Sequence, residues 1–115
     1  MTNPLPRPLE GIKVIELGTM ITAPLTGMLF GQAGADVTKV EHPQGGDPFR
    51  SFRGGLYSPN FMAFNQAKKS VKLNLQNESG REAFRRLLKD ADVLVENYRP
   101  GVLARLGFAP EKLRE

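Results

Sequence analysis

The 115-residue sequence contains no cysteine, no tryptophan, one histidine and two tyrosines. Without cysteine there is no disulfide scaffold, no thiolate zinc site and no thiol nucleophile, and the composition suits a reducing cytosol. The single histidine, His42, argues against a zinc centre, and no G-x-S-x-G elbow accompanies it to suggest a Ser-His-Asp triad. Apolar runs are short. None approaches the ~20 residues of a membrane helix, and residues 1–8 lack the apolar centre of a secretory signal, so the reading is a soluble, cytoplasmic chain with no membrane partner. The motifs G-x-G-x-x-G and G-x-x-x-x-G-K-[ST] are also absent, which removes the dinucleotide fingerprint and the Walker loop.

What is present is a modest excess of positive charge, 16 Lys+Arg against 12 Asp+Glu, for a net +4. The excess is entirely C-terminal: residues 1–57 carry five basic and five acidic side chains, residues 58–115 eleven and seven. Such a patch suits nucleic acid, an anionic surface or a polyanionic small molecule, and equally a solvated helix face. The length allows one domain, which would bury roughly two-thirds of its unfolded surface without staples.

Hydrophobic periodicity lays out the elements. Lys13-Val14-Ile15-Glu16-Leu17 reads as a buried strand ending at Gly18. Thr22-Ala23-Pro24 offers a capping hydroxyl and an early proline for a helix whose Leu25, Met28, Leu29 and Ala33 recur at helical spacing before Gly34. Residues 36–41 form a second strand, which makes a right-handed parallel βαβ unit. Residues 42–60 are rich in proline and glycine and show no readable element, although Arg50 and Arg53 suit an anionic ligand or a partner subunit there. Residues 69–75 alternate as a half-buried strand, and Asn77 caps a helix with an apolar stripe of Ala83, Phe84, Leu87, Leu88 and Ala91. On that helix Arg81, Arg85 and Lys89 line a solvated face. Residues 92–96 give a fourth strand, 97–101 a turn and 102–106 a short helix closed by Gly107.

The order β-α-β-loop-β-α-β-α indicates an α/β fold with a Rossmann-like, mostly parallel sheet. Ligands of such sheets sit beyond the carboxyl ends of the strands, which singles out residues 18–22, His42 and Pro43, Gln76, and residues 97–99. Glu41 and Glu96 end strands and can either orient a ligand or hold a turn. Lys68, Lys69, Arg99 and Arg105 suit phosphate contacts.

Four blocks in order carry a family pattern: Leu9-Glu10-Gly11-Ile12-Lys13-Val14-Ile15-Glu16-Leu17, Gly34-Ala35-Asp36-Val37-Thr38-Lys39-Val40-Glu41, Lys68-Lys69-Ser70-Val71-Lys72-Leu73-Asn74-Leu75, and Asp92-Val93-Leu94-Val95-Glu96-Asn97-Tyr98-Arg99-Pro100-Gly101. On these the chain resembles the N-terminal part of family III CoA-transferases, the group of formyl-CoA transferases, carnitine CoA-transferases and α-methylacyl-CoA racemases. The resemblance implies a partial CoA-binding domain over residues 1–115 of a longer enzyme that forms interlocked homodimers. It also implies acyl-CoA and a small carboxylic acid as substrates, no permanently bound cofactor and no nucleic-acid partner. The transferring aspartate, which passes through anhydride and CoA-thioester intermediates, would lie beyond Glu115, so no catalytic residue is named in this chain.

By the same resemblance, Ile21 and Thr22 stand near the CoA thiol end, and His42 near the adenosine or its 3′-phosphate, where arginine is common. Leu73, Asn74, Leu75 and Gln76 run along the adenine, with Gln76 where lysine is common. Asn97, Tyr98 and Arg99 line the pantetheine and diphosphate, and Arg105 meets a phosphate. The alternatives are an α-methylacyl-CoA racemase and a noncatalytic CoA-binding module.

Overall fold

The computed structural model describes residues 6–52 and 58–114. Strands β1 (Lys13–Glu16), β2 (Asp36–Glu41), β3 (Lys68–Lys72) and β4 (Val93–Val95) form one sheet in the order β3-β2-β1-β4, and every pairing in it is parallel. Helices α1 (Thr22–Gln32), α2 (Pro59–Phe64), α3 (Glu78–Lys89), α4 (Val102–Arg105) and α5 (Pro110–Leu113) complete the chain, with a 3₁₀ turn at Pro48–Ser51. The expected α/β, Rossmann-like sheet is therefore observed, and its parallel strands bring all four carboxyl ends to one rim.

Alternation along the strands divides the core in two. Ile15, Leu17 and Val40 join Leu75, Phe84, Leu103 and Phe108 on the face covered by α3 and α4, where the Phe84 and Phe108 rings meet edge-to-face at 4.7 Å. Val14, Ala35 and Val37 pack with Leu9, Ile12, Phe30, Val93 and Val95 on the other face. Helix α3 follows its sequence signals closely: Asn77 accepts the Gly80 N–H at 2.8 Å, Phe84 is fully buried, and Leu87, Leu88 and Ala91 pack behind it. Arg81 and Arg85 pair with Glu78 on the outer face, as a solvated stripe should.

Three sequence readings are corrected. Thr22 does not cap α1: Ile21 occupies that position with no side-chain cap, and Thr22 is already helical. Nor does α1 bury its large residues. Its fully buried residues are Ala23, Pro24 and Gly27, with Phe30 half-buried against the second cluster, whereas Leu29 is 55% exposed; a Cβ on Gly27 would lie 2.0 Å from the Glu16 carboxylate, so only a small residue permits that approach. Finally, residues 42–60 are not without elements. Asp47 accepts the Phe49 N–H and Ser58 the Phe61 N–H, so Asp47-Pro48 and Ser58-Pro59 start a 3₁₀ turn and α2 with proline in the first turn. Arg53 lies outside the described residues.

Candidate functional site

A cavity of about 240 Å³ opens at the carboxyl rim of the sheet. Its walls come from the end of β1 (Leu17), the end of β2 (Val40, Glu41, His42), the segment after β3 (residues 73–76) and the stretch after β4 (Tyr98, Val102, Leu106). Aliphatic side chains supply most of that list. Polar groups are few and local: Asn74 Oδ1 accepts the Gln76 N–H at 3.0 Å, and His42 Nδ1 accepts the Gln44 N–H at 3.0 Å, which assigns the ring proton to Nε2. Burial, aided by the Glu96 carboxylate, raises the Tyr98 hydroxyl above its ordinary range. An apolar slot with a polar edge suits a flat heteroaromatic ring.

Six of the residues singled out by sequence (His42, Leu73, Asn74, Leu75, Gln76 and Tyr98) thus share one cavity. Arg99 and Arg105 do not line it. Both are exposed on the stretch that contributes Tyr98, Val102 and Leu106, and neither forms an ion pair among the described residues.

Ile21, Thr22 and Asn97 belong to a second cluster, at the loop from β1 to α1. Asn97 Oδ1 accepts the Thr19 N–H at 3.0 Å, while Nδ2 donates to the Thr19 carbonyl at 2.9 Å and to Thr22 Oγ1 at 3.0 Å. The side chain therefore acts as a surrogate strand neighbour that holds the loop. Gly18 makes this possible, since a Cβ there would fall 2.3 Å from Asn97 Oδ1 and 2.2 Å from Ala23 Cβ.

Beneath the rim lies a charged network that sequence reasoning missed. Glu16, Lys39 and Asp47 are 0%, 1% and 1% exposed. Lys39 Nζ sits 2.6 Å from Glu16 Oε2 and 2.9 Å from Asp47 Oδ2, and Lys68 Nζ sits 2.5 Å from Glu16 Oε1. Lys68 also donates to the carbonyls of Pro24 and Phe64 and to Asn65 Oδ1, so it ties α1 and α2 to the sheet and is not a phosphate ligand. Burial pushes the Lys68 ammonium below the usual lysine range, a pull that the Glu16 carboxylate opposes without cancelling. The signal for this network was faint: Glu16 and Lys39 interrupt otherwise apolar buried strands, and only the β1–β2 register places them side by side.

Glu41 anchors the next turn. Arg50 grips it with two contacts of 2.7 Å, the Asp47 N–H donates at 2.8 Å, and the Ser70 hydroxyl donates to its other oxygen. Arg50 also lies 4.0 Å over the Phe61 ring, so it is built into the turn. Burial alone would raise the Glu41 carboxyl, but Arg50, Ser70 and the Asp47 amide outweigh it and hold the group at about 2 against an ordinary 4.5. A depressed carboxyl contributes stability in full above the unfolded value and loses it as pH falls through the folded one. Urea midpoints measured downward from pH 5 should therefore fall steeply between 4.5 and about 2. The loss should be on the order of 2 kcal/mol, allowing for screening at the partly exposed Arg50, and Glu41→Gln should flatten that slope.

Among the described residues no group of three or more His, Asp or Glu side chains is placed to hold a metal, and no helix is long and apolar enough to cross a membrane.

Comparison with known proteins follows the same geometry. The model of CoA-transferase family III matches residues 9–115. The chain is 46% identical over 106 residues to the succinyl-CoA–L-malate CoA-transferase beta subunit of Chloroflexus aurantiacus, covering 88% of this chain and 26% of that protein. It is 36% identical over 112 residues to the human succinyl-CoA:glutarate CoA-transferase, covering 95% of this chain and 26% of that protein. Among solved structures, a CAIB/BAIF family protein from Brucella suis superposes with a TM-score of 0.88 at 37% identity, over 96% of this chain and 31% of that one. The chain thus spans about a quarter to a third of the length of these relatives.

Proposed function

Because the chain belongs to CoA-transferase family III, we propose that it forms the nucleotide-binding part of an acyl-CoA:carboxylate CoA-transferase, with the rim cavity receiving the adenosine end of CoA. The observation that carries this reading is the convergence of His42, residues 73–76 and Tyr98 on one apolar slot at the carboxyl ends of parallel strands. Arg99 and Arg105, exposed on the stretch that walls the slot, are suited to the diphosphate and the 3′-phosphate. The malate and glutarate transferases among the relatives favour transfer to a small dicarboxylic acid over racemisation.

In the reaction that the family resemblance implies, a carboxylate attacks the thioester carbonyl and expels CoA thiolate, leaving the acyl group on the enzyme as a mixed anhydride. The thiolate then attacks the enzyme's own acyl carbon and frees the donor acid. The acceptor acid reverses both steps and leaves as its CoA thioester. A carboxylate nucleophile keeps the acyl bond activated throughout, where water would discard it. By the same resemblance the nucleophile belongs to the remainder of a longer protein that works as a homodimer. The part of these residues is to bind, orient and shield the CoA.

Calorimetric titration of CoA into the full protein is the direct test. Arg105→Ala should weaken binding about tenfold, the worth of one charge-assisted phosphate contact. Added salt should weaken binding further, and 3′-dephospho-CoA should lose most of its sensitivity to one of the two arginines. Equal affinity for duplex DNA and CoA, or no CoA binding at all, would overturn the reading.

A further inference from the structure

Met20 stands in the left-handed region with φ 68°, a conformation that a long side chain adopts only when its surroundings impose it. Those surroundings are identifiable. The Met20 N–H points at both oxygens of Asp47, at 3.1 and 3.3 Å. Asp47 is itself immobilised: Oδ1 accepts the Phe49 N–H at 2.9 Å, Oδ2 pairs with Lys39 at 2.9 Å, and its own N–H is bound by Glu41 at 2.8 Å. The neighbouring Thr19 is gripped through both its N–H and its carbonyl by Asn97. Two successive residues of one loop are thus fixed from opposite sides, one by a buried charge and one by an amide.

A connection from β1 to α1 does not need this. A glycine at position 20 would take the same φ without a steric cost, and an ordinary surface loop does not recruit a fully buried carboxylate. We propose that Asp47 is a positioning residue for the transfer reaction: through the Met20 peptide it fixes the path of residues 19–22 at the carboxyl rim, between Leu17 and the Asn97–Tyr98 stretch that border the proposed CoA cavity. Asp47 touches no reacting atom in this scheme. It acts by keeping the loop in its bound form before the substrate arrives, which lowers the ordering cost of the reactive complex. The inference rests on the CoA-transferase reading for its substrate, and on the loop geometry alone for the clamp.

The experiment has two arms, both on the full-length protein. In the first, amide hydrogen exchange is followed by mass spectrometry in wild type, Asp47→Asn and Asp47→Ala. Residues 18–22 should exchange at least tenfold faster in Asp47→Ala and by an intermediate factor in Asp47→Asn, which keeps one acceptor oxygen. The sheet and α3 should be unchanged. Since Asp47→Ala leaves buried Lys39 short of a partner, the neutral pair Lys39→Met with Asp47→Ala is carried alongside and should fold while keeping the fast-exchanging loop. In the second arm, kcat for CoA transfer should fall at least tenfold in the same variants, with the CoA Kd changed less than threefold and partial recovery in Asp47→Asn. A merely structural role would lower the active fraction and leave kcat per active site intact.

Wild-type exchange at residues 18–22 in the neutral pair overturns the clamp. A fast loop with an unchanged kcat per active site overturns the positioning role. Absence of CoA transfer by the wild-type protein would instead overturn the functional reading, and the exchange arm would still decide whether Asp47 holds the loop.

Discussion

Replacing Glu16 with glutamine is expected to destabilise the fold by about 3–5 kcal/mol, the cost of breaking a buried ion pair from one side. The native cluster is neutral, two lysines against Glu16 and Asp47, and Glu16 bridges both ammonium groups at 2.6 and 2.5 Å. Glutamine keeps the shape but leaves one positive charge uncompensated where water does not reach. The double variant Glu16→Gln with Lys39→Met restores neutrality, so it should recover much of the loss, and the cycle yields the coupling energy.

Lys68 adds a pH signature. Its folded value is already depressed by burial and is supported by Glu16, so removing Glu16 lowers it further. In that range the unfolded chain binds more protons than the folded one, and stability therefore rises with pH. Urea denaturation followed by circular dichroism should show the deficit of Glu16→Gln shrinking as pH is raised toward the ordinary lysine value. A cost below about 1 kcal/mol at neutral pH, of the size seen for exposed pairs, would mean that the cluster is solvated.

The second large effect is at Gly80. An added Cβ there would lie 1.8 Å from the Asn74 carbonyl oxygen and 2.6 Å from the carbonyl carbon, both backbone atoms that cannot rotate aside. Alanine gains about 1 kcal/mol of helix propensity over glycine, and the collision outweighs it, for an expected net loss of about 2–3 kcal/mol. The relief route matters for function. Either the first turn of α3 backs away from its Asn77 cap or residues 73–76 shift, and those residues wall the rim cavity. Gly80→Ala in the full protein should therefore lower the melting temperature and weaken CoA binding at least tenfold. Wild-type CoA affinity in a destabilised variant would separate α3 packing from the cavity and count against the placement of adenosine there.

Much of the fold was legible because its signals are local. β-Branched runs bounded by glycine mark β1 and β2, the Asn77 cap and the stripe through Phe84 mark α3, and Gly107 closes the last predicted helix. The Asp47-Pro48 and Ser58-Pro59 starts were local too, yet prolines read as breakers conceal a capped first turn. The candidate cavity was half legible. Once the strands are parallel their carboxyl ends must share a rim, and that placed His42, Gln76 and Tyr98 together; Leu73, Asn74 and Leu75 came from the family resemblance, while Leu17, Val40, Val102 and Leu106 entered through packing alone.

By itself, then, the sequence determined the order of the four strands and of α1, α3 and α4 between and after them, the parallel sheet and the rim on which a ligand would sit, because propensity, capping and alternation act over a few residues. Tertiary structure alone decided that Lys68 is a buried tie, that α1 turns its small face inward, and that Asp47 holds Met20 in place. Those outcomes depend on charge neutralisation and close approach between residues 11 to 52 positions apart in the chain. Strand register sets both, and no local pattern encodes it.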